Sequence, residues 1–353
     1  MGLPVIDIIF KQKAAEAVKR SALGIVGLVV KEPSQDWTMK EYKLITDVDE
    51  KDYTDSVELV KDTFKYTPNK VLVFNLGDGN LGEVLKAVAE VRVNWLGLAY
   101  DSAEDTATLV DWIKAVRKQG KTYKAITWKA INPEEIGVVN FANESVTFAD
   151  KRGERKGWEY IPTLLGILAG LPMTRSSTKF LCGNLVEVSR FEDLNKEIDG
   201  GKFCLFKEEG KVRIARGCTS LTETTQDLTP DMKDIIIIES MDLIRDDIYT
   251  TFNKYWSGKW KNKYDNQVLL MTSINAYFQA LANEDILDPE YKNKAMIDIE
   301  AIKLAWLSVG KDEVEEMTDE ELKKLSFKKT VFLLGDIKIL NAIEDFKFTI
   351  NMF

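Results

Sequence analysis

The chain has 353 residues, of which 45% are hydrophobic and 30% are charged, values typical of a folded globular protein of two domains. The formal net charge of −9 argues against nucleic acid as the main partner, because phosphate binding needs a basic face. Histidine is absent. This removes the usual general base and the commonest transition-metal ligand, and with them most hydrolase mechanisms. The composition therefore disfavours an enzyme.

The first segment with a clear pattern is the run VIDIIF at residues 5–10. It predicts a strand in which Ile6, Ile8 and Phe10 share one face. A charged helical segment follows at once, so no neighbouring stretch can pair with this strand in a hairpin. We expect its partner to come from elsewhere.

The next part of the chain alternates between predicted strands and predicted helices. The strands are predicted at 24–30, 71–75, 95–100 and 123–128, and the helices at 56–64, 82–91 and 106–118. This alternation predicts an α/β domain with a mainly parallel sheet and helices on its faces. The basic run at 151–157 is interpreted as a solvated loop, and the glycine-interrupted region 180–221 as a β-rich end of the domain.

A glycine motif inside this domain supports a competing interpretation. Gly77, Gly79 and Gly82 form G-x-G-x-x-G between a predicted strand and a predicted helix, and Asp101 ends the next strand. Spacing and context match a dinucleotide-binding fingerprint. However, Asp78 and Glu83 place negative charge where a pyrophosphate would bind. A tight strand-to-helix turn explains the same glycines, and we predict that no nucleotide binds.

The second domain is predicted to begin near residue 230. The run Ile235 to Ile238 predicts a strand that is apolar on both faces. Helices are predicted at 241–256, 268–281, 298–308 and 318–325, followed by strands at 330–334, 337–340 and 346–352. Asp242 and Asp246 lie four residues apart, as metal ligands on a helix can, but we interpret them as a solvated face.

The cysteines and the apolar runs indicate the cellular compartment. Cys182, Cys204 and Cys218 lie among apolar residues without a C-x-x-C spacing, which predicts buried small hydrophobes in a reducing compartment. The longest apolar run, at 161–174, contains two prolines and is too short to span a bilayer. No signal peptide is apparent, so we expect the chain in the cytoplasm.

Several stretches together resemble one protein family. They are V-R-I-x-R-G-x-x-x-L-T at 212–222, I-I-I-E-S-M-D-L-I-x-D-D-I at 236–248, Y-W-S-G-K-W-x-N at 255–262 and R-S-x-x-G-I-V at 20–26. These sequence motifs resemble those of the tail sheath proteins of contractile phage tails, in the compact form found in defective prophages and R-type bacteriocins of the diffocin kind. The family's Asp-Ala-Met-Glu-Asp element reads Asn-Ala-Ile-Glu-Asp at 341–345.

The resemblance implies a structural subunit and not an enzyme. Such a subunit stacks as rings of six around an inner tube and contracts to drive the tube through a target envelope. Its implied partners are other copies of itself, the inner tail tube protein, the baseplate and the tail terminator, without nucleic acid, stable membrane insertion, cofactor or metal. Assembly in the cytoplasm would precede release in an extracellular particle. The alternative is an NAD-type oxidoreductase that uses the turn Gly77-x-Gly79-x-x-Gly82.

The resemblance also implies a domain layout and two kinds of contact residue. The layout is an N-terminal arm at 1–20, an outer domain at 21–230, a sheath core at 231–343 and a C-terminal arm at 344–353. Both arms would be strands donated to neighbouring subunits. The predicted arm residues are Ile6, Ile8, Phe10, Phe346, Phe348 and Ile350. The predicted tube contacts are Lys323, Lys324, Lys328 and Lys329.

Overall fold

The computed structural model describes residues 23–352, which form two compact units. The large unit contains residues 23–244 and 341–352, and the small unit contains residues 245–340. The domain layout given by the sequence, with boundaries at 230/231 and 343/344, remains a prediction. The predicted strand at 5–10, with Ile6, Ile8 and Phe10, lies outside the described residues.

The large unit contains most of the strands. These are β1 Ile25–Val30, β2 Met39–Tyr42, β3 Lys70–Asn75, β4 Trp95–Leu98, β5 Lys124–Trp128, β6 Val138–Phe141, β7 Ser145–Phe148, β8 Glu154–Lys156, β9 Leu185–Val188, β10 Lys202–Phe203, β11 Leu205–Glu208 and β12 Lys211–Ile214. Its helices are α1 Val57–Asp62, α2 Leu81–Ala89, α3 Ala103–Lys118, α4 Ile161–Gly170 and α5 Leu194–Asp199, and α6 Ile235–Thr251 begins in it.

The main sheet confirms the predicted α/β fold class. Its strand order within the described residues is β10-β6-β5-β4-β1-β3-β2, and every neighbouring pair is parallel except β2 with β3. The interior strand β1 is buried on both faces, as its unbroken apolar sequence IVGLVV requires. Ile25 and Val29 pack in the core that also contains α2 and α3, whereas Val26 and Leu28 pack in the core that contains α4.

Helix boundaries in this unit follow ordinary capping chemistry. The Ser102 hydroxyl accepts a hydrogen bond from the Asp105 N–H at the start of α3, and Asn80 accepts one from the Glu83 N–H at the start of α2. Helix α4 is apolar and buried over most of its length because it packs between the sheet and α1. No helix within residues 23–352 is both long enough and apolar enough to cross a bilayer.

Two smaller sheets complete the large unit in the described region. One has the order β8-β7-β9, and the other is the hairpin of β11 and β12. The basic run 151–157 contributes β8, so its interpretation as a solvated loop is wrong in part. Lys151 is exposed, but Arg152 is largely buried and forms ion pairs with Asp62 and Asp150 at 2.6 and 2.7 Å.

The small unit contains the end of α6, the helices α7 Tyr264–Asn283, α8 Ile299–Leu307 and α9 Asp319–Lys324, and the strands β13 Lys294–Ile297 and β14 Leu333–Asp336. The helix predicted at 268–281 is confirmed as part of α7, in which Leu270, Ile274, Tyr277 and Leu281 are buried. Thr318, the first residue of the helix predicted at 318–325, is the N-cap of α9. It forms a capping box with Glu321 at the start of α9.

The four isoleucines at 235–238 are not a strand. They form the first turn of α6, and all four side chains are buried in the large unit. A short apolar run indicates burial on all sides, and such burial occurs in helices as well as in strands. Here packing overrides the strand preference of β-branched residues.

The predicted strands near the C-terminus also need correction. A single strand, β14, replaces those predicted at 330–334 and 337–340. Residues 341–352 have no regular secondary structure in the single chain. The alternating pattern of Phe346, Phe348 and Ile350 therefore predicts a strand only if a partner chain supplies the pairing.

Candidate functional site

The glycine turn has a structural explanation in its own hydrogen bonds. Gly77 has a φ of +55°, which favours glycine, and its N–H donates to the Asn75 side chain at 2.9 Å. The Gly79 N–H donates to the Leu76 carbonyl at 2.9 Å, which closes a tight turn before the Asn80 cap. These contacts turn the chain from β3 into α2.

Sheet topology separates this turn from a dinucleotide-binding arrangement. The turn follows β3, Asp101 lies beyond β4, and β1 lies between these two strands. The strand ends are thus about 10 Å apart, whereas the ribose-binding acid of the fingerprint follows a strand that adjoins the glycine turn. Lys156 also forms an ion pair with Asp101 at 3.0 Å. The fingerprint is matched in sequence but not in space.

A buried charge cluster on α6 was missed by the sequence interpretation. Asp242 accepts two hydrogen bonds from Arg117 and one from Lys124, each at 3.0 Å. Glu239 lies 3.4 Å from the Lys124 ammonium, and Glu135 lies 3.5 Å from the Arg117 guanidinium. Asp242 is buried, so its interpretation as part of a solvated face is wrong.

The cluster stabilises the charged forms of its cations. Burial lowers the pKa of Lys124, but the Asp242 and Glu239 carboxylates raise it more, so the pKa lies above the ordinary value of 10.5. Burial raises the pKa of Glu239 above 4.5. No group of side chains within residues 23–352 has the composition of a metal site. The cluster joins the start of α6 to α3 and β5.

The three cysteines are free and buried, as the sequence predicts. Burial raises the pKa of each thiol to about 12, which leaves these thiols protonated at neutral pH. The thiols of Cys204 and Cys218 both contact the Lys202 carbonyl, at 3.6 and 3.5 Å. They act as small core residues.

The C-terminal segment exposes a row of large apolar side chains. Phe346, Phe348, Ile350 and Met352 are 83%, 71%, 69% and 91% exposed. Phe346 and Phe348 stack with ring centroids 5.9 Å apart, as residues on the same side of an extended chain can. An apolar row of this kind indicates an interaction surface.

The small unit contains a strand edge that such a segment could extend. The side chain of Asn275, on α7, binds the Ala295 N–H at 2.6 Å and the Ala295 carbonyl at 3.2 Å, so these groups of β13 point away from β14. Gly335 lies opposite Ala295 in the antiparallel pair, and its backbone groups therefore point to the outer edge of β14. Leu333, two residues away, points the same way.

This outer edge of β14 is open among the described residues, in which β13 and β14 form a sheet of only two strands. A Cβ atom added to Gly335 would meet no atom within 4 Å. The edge of β13, by contrast, is covered by Asn275. The small sheet thus has one edge that can accept a further strand.

The four predicted tube-contact lysines lie at the end of α9 and in the turn after it. Lys323 pairs with Glu320 at 2.8 Å, and Lys324, Lys328 and Lys329 are exposed. The Asn262 side chain donates to the carbonyls of Phe327, Lys328 and Thr330, which fixes this turn. We call these four lysines of the small unit the basic region of α9.

Comparison with known proteins identifies the C-terminal part of the chain. Residues 227–353 match the family described as the phage tail sheath C-terminal domain. This part of the chain is similar to a tail sheath domain. This match covers the small unit together with the segment that precedes it and the C-terminal segment that follows it.

The likeness to sheath proteins extends beyond the sheath domain. The tail sheath protein of Clostridium phage phiCD119 is 26% identical over 99% of both chains. The sheath tail protein of Desulfitobacterium hafniense has a TM-score of 0.70 at 14% identity, covering 84% of this chain and 94% of that one. The sheath of an extracellular contractile injection system, PVC, in its contracted state has a TM-score of 0.69 at 10% identity, with coverages of 99% and 98%. The sheath interpretation is confirmed, and the oxidoreductase alternative is not supported.

Proposed function

We propose that this chain is the sheath subunit of a contractile injection apparatus, in which it polymerises as rings of six around an inner tube and contracts to drive the tube through a target envelope. The sheath domain and the similarity of the whole chain to a phage sheath protein support this role. No nucleotide is required, because the work comes from the free-energy difference between two packings of the same lattice.

The assembly mechanism is inferred from the exposure of the C-terminal segment. We infer that its apolar row becomes a strand on the open edge of β14 in a neighbouring copy. Leu333 and Gly335 offer four outward backbone groups there. Four hydrogen bonds at roughly 1 kcal/mol each, together with burial of the two phenylalanines, give several kcal/mol for each link. The N-terminal strand with Ile6, Ile8 and Phe10 is proposed as the second arm.

The basic region of α9 is proposed as the contact with the inner tube. Lys323, Lys324, Lys328 and Lys329 would face acidic groups of the tube protein. Exposed ion pairs are individually weak and are screened by salt. Such pairs can therefore hold the tube in the extended state and still release it during the stroke.

The particle is proposed to be a contractile phage tail or its compact form in a defective prophage or an R-type bacteriocin of the diffocin kind. Subunits would assemble in the cytoplasm between a baseplate and a tail terminator and leave the cell in the finished particle. The proposed mechanism uses neither cofactor nor metal, and it assigns no catalytic residue.

The test is a set of substitutions confined to the C-terminal segment. In one variant Phe346, Phe348, Ile350 and Met352 are changed to serine, and in the matched control the interleaved Lys347, Thr349 and Asn351 are changed to serine. Both sets are exposed in the single chain, so neither variant should alter the free energy of unfolding by more than about 0.5 kcal/mol. Electron microscopy should show tubes for the control and none for the apolar-to-serine variant.

Normal tubes from the apolar-to-serine variant would contradict the donated strand. Purified wild-type chain that forms no rings or tubes at any concentration, alone or with the tube protein, would contradict the sheath function itself.

A further inference from the structure

Residues 341–345 are fixed to the large unit by polar contacts from three other segments. The Glu344 carboxylate, on a side chain only 10% exposed, accepts a hydrogen bond from the Ser176 hydroxyl at 2.6 Å. Arg216 donates to Asp345 at 2.8 Å, and Asn341 donates to Asp234 at 2.6 Å. We call this set the C-terminal latch; its members are Ser176, Arg216, Asp234, Asn341, Glu344 and Asp345.

The surrounding backbone orients the donor side of the latch. The Ser176 oxygen accepts the Thr178 N–H at 3.1 Å, which directs the hydroxyl hydrogen towards Glu344. Gly217 is required at its position because a Cβ atom there would lie 2.4 Å from the Ser177 oxygen and 3.3 Å from the Ser176 oxygen. Arg216 supplies the cation, 3.8 Å from Glu344.

The latch joins two motifs whose purpose the sequence left open. Arg216 and Gly217 belong to the stretch V-R-I-x-R-G at 212–217, and residues 341–345 are the Asn-Ala-Ile-Glu-Asp element. They are 129 positions apart at the contact between Arg216 and Asp345. Contacts of this kind hold a short segment in place without burying an apolar side chain.

The latch also determines how far the C-terminal segment can extend. From Phe346 to Met352 every residue is exposed, and seven extended residues span about 23 Å. Leu340 is the last residue fixed in the small unit, through a backbone hydrogen bond to Ile286 at 3.0 Å. Without the latch the free segment would begin at Asn341 and span about 40 Å.

We propose that the C-terminal latch sets the point from which the donated strand leaves its own chain, and that it thereby raises the effective concentration of this strand at the β14 edge of the neighbouring copy. This inference rests on the proposed function. A shorter free C-terminal segment searches a smaller volume, which raises its effective concentration. Residues 341–345 are already ordered in the single chain, so assembly does not have to supply the conformational entropy of ordering them. Ser176, Arg216 and Glu344 are therefore positioning residues for assembly.

The first measurement concerns the single chain. A nitroxide is attached at Lys347→Cys, where labelling is selective because the three native cysteines are buried. Ser176→Ala and Glu344→Ala should each release the segment and increase the mobility of the nitroxide, which narrows the lines of the electron paramagnetic resonance spectrum. The double variant should match Glu344→Ala, because that substitution alone already removes the contacts of Glu344 with both Ser176 and Arg216. The matched control is the exposed pair Ser145 and Glu154, which has the same kind of hydrogen bond at 2.8 Å and should leave the spectrum unchanged on substitution to alanine.

The second measurement concerns assembly, followed by sedimentation. The latch variants retain both the apolar row and the β14 edge, so they should still form tubes, but at a protein concentration about tenfold higher than the wild type. A spectrum unchanged by Ser176→Ala and Glu344→Ala overturns the latch. Increased mobility with an unchanged assembly concentration overturns its role in assembly. Both outcomes are separate from the donated strand, which the apolar-to-serine variant tests, and from the sheath function, which assembly of the wild-type chain tests.

Discussion

Asp242 shows how a single side chain can determine where a helix packs. It lies on the buried side of α6 and accepts hydrogen bonds from cations on α3 and β5. Buried ion pairs contribute little net stability compared with apolar packing, but removing one partner leaves a charge that is buried and uncompensated. These charges therefore fix the position of the start of α6 more than they increase the total stability.

Lys124→Met tests this account. The change keeps the side-chain volume but removes the charge, so Asp242 and Glu239 lose a cation in a desolvated position. We expect the free energy of unfolding to fall by about 3 kcal/mol in denaturant titrations. The control Lys118→Met, at an exposed position at the end of α3, should change it by less than about 0.5 kcal/mol. Equal effects of the two substitutions would show that the cluster does not constrain α6.

The raised pKa of Glu239 makes the free energy of unfolding depend on pH, and the direction of this dependence follows from the direction of the pKa shift. Its folded-state pKa lies above the ordinary value of 4.5, so the folded state binds the proton more tightly than the unfolded state does. The resulting stabilisation is present below about pH 4.5 and is lost as the pH rises through the folded-state pKa. Glu239→Gln should therefore become more stable relative to the wild type as the pH rises above about 4.5. The exposed Glu104→Gln serves as control, and a constant difference between Glu239→Gln and wild type would refute the prediction.

At the scale of elements, the open edge of β14 makes a sharp prediction possible at Gly335. Proline there would remove the outward N–H but would leave intact the hydrogen bonds to β13, which come from the flanking residues. We expect Gly335→Pro to keep the fold and lose tube formation in electron microscopy. Gly335→Ala is the matched control and should assemble normally, since the space around Gly335 is empty. Tubes formed by the proline variant would place the acceptor elsewhere.

The regular elements with local signals were predictable from the sequence. β1 and β3 are short apolar runs between turn residues, and α9 begins with a capping box that its sequence T-D-E-E spells out. In each case the residues that define the element also stabilise it locally. The parallel sheet followed from the alternation of such elements.

The start of α6 and its charges were not predictable in the same way. Ile235 to Ile238 have a sequence that suits a buried strand, and only tertiary packing makes them a helix. The sequence pattern predicts that the helix starts only at residue 241. In the structure the helix starts earlier, and helical spacing places Asp242 on the same buried face as Ile235 and Ile238. The contact of Arg216 with Asp345 joins residues 129 positions apart and leaves no local pattern.

At the scale of the whole molecule, the proposed donor and acceptor are different surfaces of one chain. The donor is the C-terminal segment of the large unit, and the acceptor is the edge of β14 in the small unit. A contact between two unlike surfaces is heterologous, so it generates rings or helical stacks and not a closed pair. Each copy can then bind one neighbour as donor and another as acceptor, as a sheath lattice requires.

The same lattice must hold the inner tube before the stroke and release it afterwards, and the basic region of α9 is proposed for this contact. Lys323→Glu together with Lys324→Glu would reverse its charge at two positions that are not part of the core. We expect extended particles with normal sheath but with the tube lost, seen as empty sheaths in electron micrographs. Because exposed ion pairs are screened, tube loss from wild-type particles should also increase with salt.

Lys292→Glu is the matched control, since Lys292 is an exposed lysine of the same unit that lies outside the basic region. It should retain the tube at every salt concentration at which the wild type does. Reversal at Lys323 and Lys324 with the tube still retained would assign the tube contact to another surface of the chain. Loss of the sheath as well as the tube would instead show that these lysines bind a neighbouring sheath subunit, because a tube contact alone does not hold the rings together.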